Sequence, residues 1–202
     1  LQTQSLEFCA NEPASLEAAF RLYPGEIAAV IVAPEMVRPT ASARFEELLR
    51  ITHAQGAVFV MDEIKTGLRI APNSISARVG IVPDLITVSK ALGNGFPVAA
   101  LLGRREVMQA GDGMHYSATF HGDTAAMAAA RKTLAIIDAC AVQAHVHALG
   151  QRLAQRPGRD DLAVAEAVGA VEHQQRTRVA GVGRVAFVAA GGKMALAQRA
   201  YK

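Results

Sequence analysis

A chain of 202 residues, 51% hydrophobic and 19% charged, has the material for a globular core and is not the composition of a disordered segment. Its net charge of +3 is uneven: residues 1–150 carry 12 basic and 14 acidic side chains, residues 151–202 carry 9 and 4. The basic excess is scattered and lacks interleaved aromatics, and no apolar run reaches the roughly 18 residues of a membrane span, so neither nucleic acid nor membrane is an expected partner.

Residues 14–22, ASLEAAFRL, have helical spacing, with Leu16, Ala19, Phe20 and then Tyr23 on one side. EIAAVIVAP, residues 26–34, is a short continuous apolar run, read as a strand buried on both faces. SARFEELLRITHAQG, residues 42–56, repeats the helical spacing through Phe45, Leu48, Leu49 and Thr52 and stops at Gly56. AVFVMDE (57–63), DLITVSK (84–90) and PVAALLG (97–103) are further strands. DTAAMAAARKTLAIIDA (123–139) and AVQAHVHALGQRLAQ (141–155) are helices. Beyond about residue 156 the periodicity fades, and eight of the ten aromatics lie before residue 151. The two cysteines, Cys9 and Cys140, form no disulfide framework, and residues 1–30 lack the regions of a signal peptide, so a reducing cytoplasm is expected.

Apolar strand runs alternating with helices imply an α/β fold: a mostly parallel sheet with flanking helices. Ligands of such sheets sit beyond the carboxyl ends of the strands. That rule selects Asp62 and Glu63, which end AVFVMDE, and Lys90, which follows DLITVS. Lys90 reads either as a solvated surface lysine or as a site lysine. Apolar runs on both sides of it and the small residues Gly93 and Gly95 behind it favour the second reading, with the glycines leaving room for a ligand. Burial disfavours an ammonium, and a neutral amine attacks a carbonyl to form a Schiff base. Asp62 has no His or Cys at metal-ligand spacing, so no metal is expected. A carboxylate beside such a lysine can hold a protonated pyridine nitrogen, making the ring an electron sink. GNG is not a dinucleotide fingerprint, and no phosphate-binding Gly-Lys-Ser/Thr loop occurs. Arg69, Arg104 and Arg105 read as surface or structural charges, Arg69 being the one that could reach a substrate carboxylate.

Three segments, VFVMDEIKTGLR (58–69), PDLITVSKALGNGFPVAALLGRRE (83–106) and HYSATFHGDTAAMAAA (115–130), resemble the class III pyridoxal-phosphate-dependent aminotransferases in order and spacing. They look most like the glutamate-1-semialdehyde 2,1-aminomutase branch. The resemblance runs from about residue 13 to about residue 155. It implies part of a fold type I (aspartate-aminotransferase-like) large domain over residues 1–140, followed over 141–202 by a helix and an incomplete or altered small domain or tail. It also implies pyridoxal 5'-phosphate as cofactor. Lys90 becomes the Schiff-base lysine, Asp62 the partner of the pyridine nitrogen, and Thr119 the contact to the cofactor phosphate of a neighbouring subunit in a homodimer, with the site at the interface. Glu63 and Ser89 become supporting cofactor-site residues, and Gly95 helps to shape the lysine loop.

Members of the family extend further on the N-terminal side, so the resemblance implies a fragment. The turn that holds the cofactor phosphate and the aromatic that stacks on its ring would lie before Leu1. The chain departs from the family pattern at Ala33, where a glutamate often stands, and at Asp123 and Thr124, where Asn-Pro is common. The expected activity is a transaminase or aminomutase moving an amino group between a small amino acid or amine and a keto or aldehyde acceptor through Lys90, impaired by the truncation. The alternatives are an inactive remnant that folds or pairs with another chain and, less favoured, a basic-tailed binding module.

Overall fold

The computed structural model describes residues 5–34, 42–70, 74–114 and 119–155. Four strands, β1 (Ala29–Val32), β2 (Val58–Asp62), β3 (Leu85–Val88) and β4 (Ala100–Gly103), form one sheet in that order. β1, β2 and β3 are parallel, and β4 closes the series antiparallel to β3. Six helices are described: α1 (Pro13–Leu22), α2 (Ser42–Ala54), α3 (Ile75–Val79), α4 (Arg105–Gln109), α5 (Thr124–Ala139) and α6 (Val142–Ala154). The mostly parallel sheet with helices on it is the expected α/β arrangement.

The helix boundaries follow local chemistry. α1 begins with Pro13, whose fixed φ suits a first helical turn. α2 gives out two residues before Gly56, which takes a φ of 71°. α5 is capped by Asp123, whose Oδ1 accepts from the amides of Ala125 (2.9 Å) and Ala126 (3.4 Å). The departure from Asn-Pro at this point therefore retains a helix start of full capping strength.

The main core joins α1 and α2 to one face of β1 and β2. Leu16 and Phe20 from α1, Phe45 and Leu48 from α2, and Val30, Val32, Phe59 and Met61 from the strands pack in one cluster. Each large side chain so buried contributes about 1.5–3 kcal/mol relative to exposure. The continuous apolar run of β1 nevertheless alternates in burial. Val30 and Val32 are buried, whereas Ala29 and Ile31 are only half-buried. The expectation of a strand buried on both faces fails here because α1 and α2 cover one face, while the described residues leave the other partly open. A smaller cluster of Val88, Leu92 and Ala130, with Val98 and Ala100 against it, ties α5 to the far side of the sheet beside the chain that follows β3.

The amino end of the sheet is locked by Asp84. Its Oδ2 accepts from the amide of Phe59 (2.7 Å) and from Nε2 of His53 on α2 (2.8 Å), and its Oδ1 faces Nη1 of Arg104 (3.3 Å). Its own amide donates to Phe59 and its carbonyl accepts from Arg104. Among the described residues no helix is long and apolar enough to cross a membrane. Of the unit expected over 141–202, α6 is described, and everything from residue 156 lies outside the described residues.

Candidate functional site

The parallel pairing of β2 with β3 sets Asp62 opposite Thr87. Lys90 follows three residues later, two beyond the end of β3. The two side chains therefore leave adjacent strands at the same, carboxyl edge. Their backbones are about 5 Å apart across the sheet and at most about 10 Å apart along it.

Asp62 is half-buried, and its Oδ1 is taken by Thr87 Oγ1 (3.1 Å) and by the amide of Ile64 (3.1 Å). These two donors fix the carboxylate plane. Oδ2 has no hydrogen-bond partner among the described residues. Lys90 takes a φ of 37°, a left-handed conformation uncommon for a side chain with a Cβ. Nζ likewise has no ion-pair or hydrogen-bond partner among the described residues. Lys90 is exposed, which corrects the expectation of a partly buried amine. The apolar residues around it in sequence turn toward the sheet and α5, and the left-handed turn carries the lysine away from them.

The chain after Lys90 folds back on itself. Ser89 Oγ donates to the carbonyl of Val98 (2.8 Å), closing the loop at its base. The amide of Leu92 reaches Ser89, and that of Asn94 reaches Lys90. A Cβ on Gly93 would stand 2.3 Å from the carbonyl oxygen of Phe96 and 2.6 Å from Val98 Cγ1. Its smallness is thus consumed by the loop's own packing, not held for a ligand. Gly95, at a φ of 111° and with nothing within 4 Å of its Cβ position, is the glycine that faces open space. An open cavity of about 410 Å³ lies here, and Arg69, Ser89, Lys90, Asn94, Gly95 and Phe96 are among the residues that line it.

Glu63 sits next to Asp62 in sequence and points elsewhere. It is fully buried, with Oε2 on the amide of Ile75 (2.5 Å) and Oε1 on the amide (2.9 Å) and Oγ (2.6 Å) of Ser76. Both oxygens are occupied by the start of α3, so its part is to anchor the chain leaving β2. The cofactor-site place expected of Glu63 is therefore not where its side chain lies: both oxygens are spent on Ile75 and Ser76. Nothing in the sequence pattern marked Ser76, because a five-residue helix shows no periodicity. Thr119 is exposed at the turn before α5, three residues ahead of Gly122 (φ 82°). Arg104 proves to be a structural charge on Asp84, as expected of it.

The Aminotransferase class-III family model matches residues 2–178. The chain belongs to the class III aminotransferases. Glutamate-1-semialdehyde 2,1-aminomutase of Neisseria gonorrhoeae (strain NCCP11945) is 40% identical over 153 residues, covering 71% of this chain and 35% of the relative. The enzyme of the same name from Neisseria meningitidis serogroup B is 41% identical over 136 residues, 63% of this chain and 31% of the relative. Among solved structures, the internal aldimine form of the Sphingopyxis sp. MTA144 FumI protein superposes with a TM-score of 0.67 at 30% identity, covering 71% of this chain and 37% of that one. A β-phenylalanine aminotransferase from Variovorax paradoxus gives 0.55 at 30% identity, over 59% and 30%. The class III chain described here thus spans about a third of the length of its curated relatives, and its sheet is part of the fold type I large domain.

Proposed function

We propose that this chain is the lysine-bearing part of a pyridoxal-phosphate-dependent transaminase or aminomutase. The observation that carries the reading is a pair of polar atoms at one edge of the sheet, Nζ of Lys90 and Oδ2 of Asp62, that have no hydrogen-bond partner among the described residues. Their chemistry fits the cofactor: an amine for its aldehyde and a carboxylate for its ring nitrogen. When bound, pyridoxal phosphate supplies the carbonyl that captures a substrate amine and a ring that takes up an electron pair. Lys90 would hold that group covalently through Nζ and, once displaced by substrate, carry a proton at Nζ between two carbons. Asp62 would keep a proton on the ring nitrogen through Oδ2, with Thr87 and Ile64 preventing its rotation. Ser89 would act at one remove, by closing the loop that aims Lys90. Glu63 would hold the β2 end in place through α3, and Thr119 would meet the cofactor phosphate of a second subunit in a homodimer. The substrates would be a small amino acid or amine and a keto or aldehyde acceptor. The large-domain part would end near residue 140, with α6 opening the next unit.

A second reading, a folded remnant without turnover, draws on the exposure of Lys90 and on the third of the relatives' length that the chain spans. One experiment separates the two. The protein is mixed with pyridoxal phosphate, reduced with borohydride, digested and mapped. A pyridoxyl group concentrated on Lys90 over Lys65 and Lys132 is expected, and Asp62→Asn should reduce it. Labelling spread evenly over the chain's five lysines would leave the remnant reading standing. Amino transfer that appears only on mixing with a full-length homologue would identify subunit complementation.

A further inference from the structure

We infer that Gln143 is a positioning residue for Lys90. By holding the carbonyl of Leu68, it keeps the Leu68 side chain against the turn that aims the lysine. The inference rests on the proposed function, which gives the direction of Lys90 its purpose.

Leu68 takes a φ of 62°, a conformation that is unfavourable for a leucine and persists only where neighbours impose it. Its carbonyl receives no backbone amide among the described residues, because the amides of Arg69 and Ile70 both turn back to Thr66. The donor comes from 75 positions away: Nε2 of Gln143, on α6, at 2.9 Å. Gln143 is 8% exposed, so the bond is sheltered from water. Gly67 leaves the segment little slack, since a Cβ there would lie 2.9 Å from the Glu63 carbonyl oxygen and 3.2 Å from Val88 Cγ1.

The Leu68 side chain packs against the cluster of Val88, Leu92 and Ala130. Val88 and Leu92 stand two positions before and two positions after Lys90. Lys90 is itself left-handed, at a φ of 37°, and its side chain is exposed. Its direction is therefore set by its buried neighbours, and Leu68 is one of the side chains pressed on them.

Gln143 has a firm mount. α6 begins at Val142, close behind the end of α5 at Ala139, and Ala130 of α5 belongs to the same cluster. Of the described side chains of α6 only that of Gln143 is buried, while Val146, Leu149 and Leu153 stay exposed. One polar bond is a weak means of docking a helix, but a specific means of fixing one carbonyl.

The test uses the full chain and needs no turnover. Gln143→Met removes the donor and keeps the length of the side chain. The amides of Leu92 and Asn94 bond to Ser89 and Lys90 across the turn. Their hydrogen exchange should quicken about fivefold, the size of one lost hydrogen bond, while the amides of β2 keep their rates. Labelling gives the second reading. An amine condenses with an aldehyde, losing water to form an imine; borohydride delivers hydride to its carbon, and solvent supplies the proton to nitrogen. Pyridoxal phosphate, which must meet Lys90 and Asp62 together, should label Lys90 about fivefold less relative to Lys132 in the variant. Formaldehyde needs only an accessible amine and should methylate Lys90 as before. Gln143→His, whose Nε2 can donate in the same place, should restore both readings.

Unchanged exchange at Leu92 and Asn94 overturns the inference. So does quickening shared equally by β2, which would make the bond a general staple. So does a pyridoxyl ratio that holds while the turn loosens, or one that falls together with methylation, which would report access and not direction. If pyridoxal phosphate fails to label Lys90 of the unaltered protein, the proposed function falls, and the exchange rates still judge whether Gln143 holds the turn.

Discussion

Asp62 and Asp84 stand at opposite ends of the same two strands, and they are bonded in opposite ways. Asp84 is 5% exposed and has both oxygens engaged, by a backbone amide, an imidazole and a guanidinium. Asp62 is half-buried and spends one oxygen on its neighbours while the other has no partner among the described residues. A buried carboxylate without partners is costly, so the satisfied one belongs to the scaffold. A half-exposed carboxylate whose orientation is fixed, but whose bonding is incomplete, is suited to receive something. The comparison separates structural from functional acids by what their oxygens do, not by burial alone.

Three substitutions test it, each read by the midpoint of urea unfolding. Asp84→Ala should have the largest effect, about 2–4 kcal/mol, because it strands the buried amide of Phe59 and unties α2 from the sheet. The solvent-exposed parts of His53 and Arg104 keep the loss from being larger. Glu63→Ala should follow at about 1–3 kcal/mol, since it leaves two amides and a hydroxyl at the start of α3 unpaired. It sharpens the comparison, because Glu63 shares Asp62's end of the sheet and yet should behave like Asp84. Asp62→Asn should change stability by less than about 0.5 kcal/mol, because its side-chain oxygen can still accept from Thr87 and Ile64. A loss at Asp62 comparable to that at Asp84 would show both acids to be scaffold and would break the distinction.

Much of this was legible in the sequence. The strand runs and the four longer helices declare themselves by periodicity, and Leu16, Phe20, Phe45 and Leu48 fall in the core as their spacing requires. The strand-end rule brings Asp62 and Lys90 to one edge without any coordinates. What the sequence hid depends on tertiary geometry. α3 and α4 are each five residues long, too short for a periodic signal. The turn of Glu63 toward Ser76, 13 positions away, has no local cue. Nor does the bond from Gln143 to Leu68 across 75 positions. Gly93 looked like space for a ligand and is filled by Phe96 and Val98, because a motif records which residue is small and not what fills the gap. Half-exposed β1 misled for a related reason, since a run of valine and isoleucine reads the same with one covered face as with two.

The backbone at residue 90 has a preference of its own. At a φ of 37°, glycine would sit without penalty and asparagine with little, whereas lysine brings a Cβ and a long chain whose amine has no hydrogen-bond or ion-pair partner among the described residues. Architecture alone offers no motive for an amine there. The local economy of the turn and the identity of its residue pull in different directions, and that conflict is what sites of chemistry commonly leave behind in a fold.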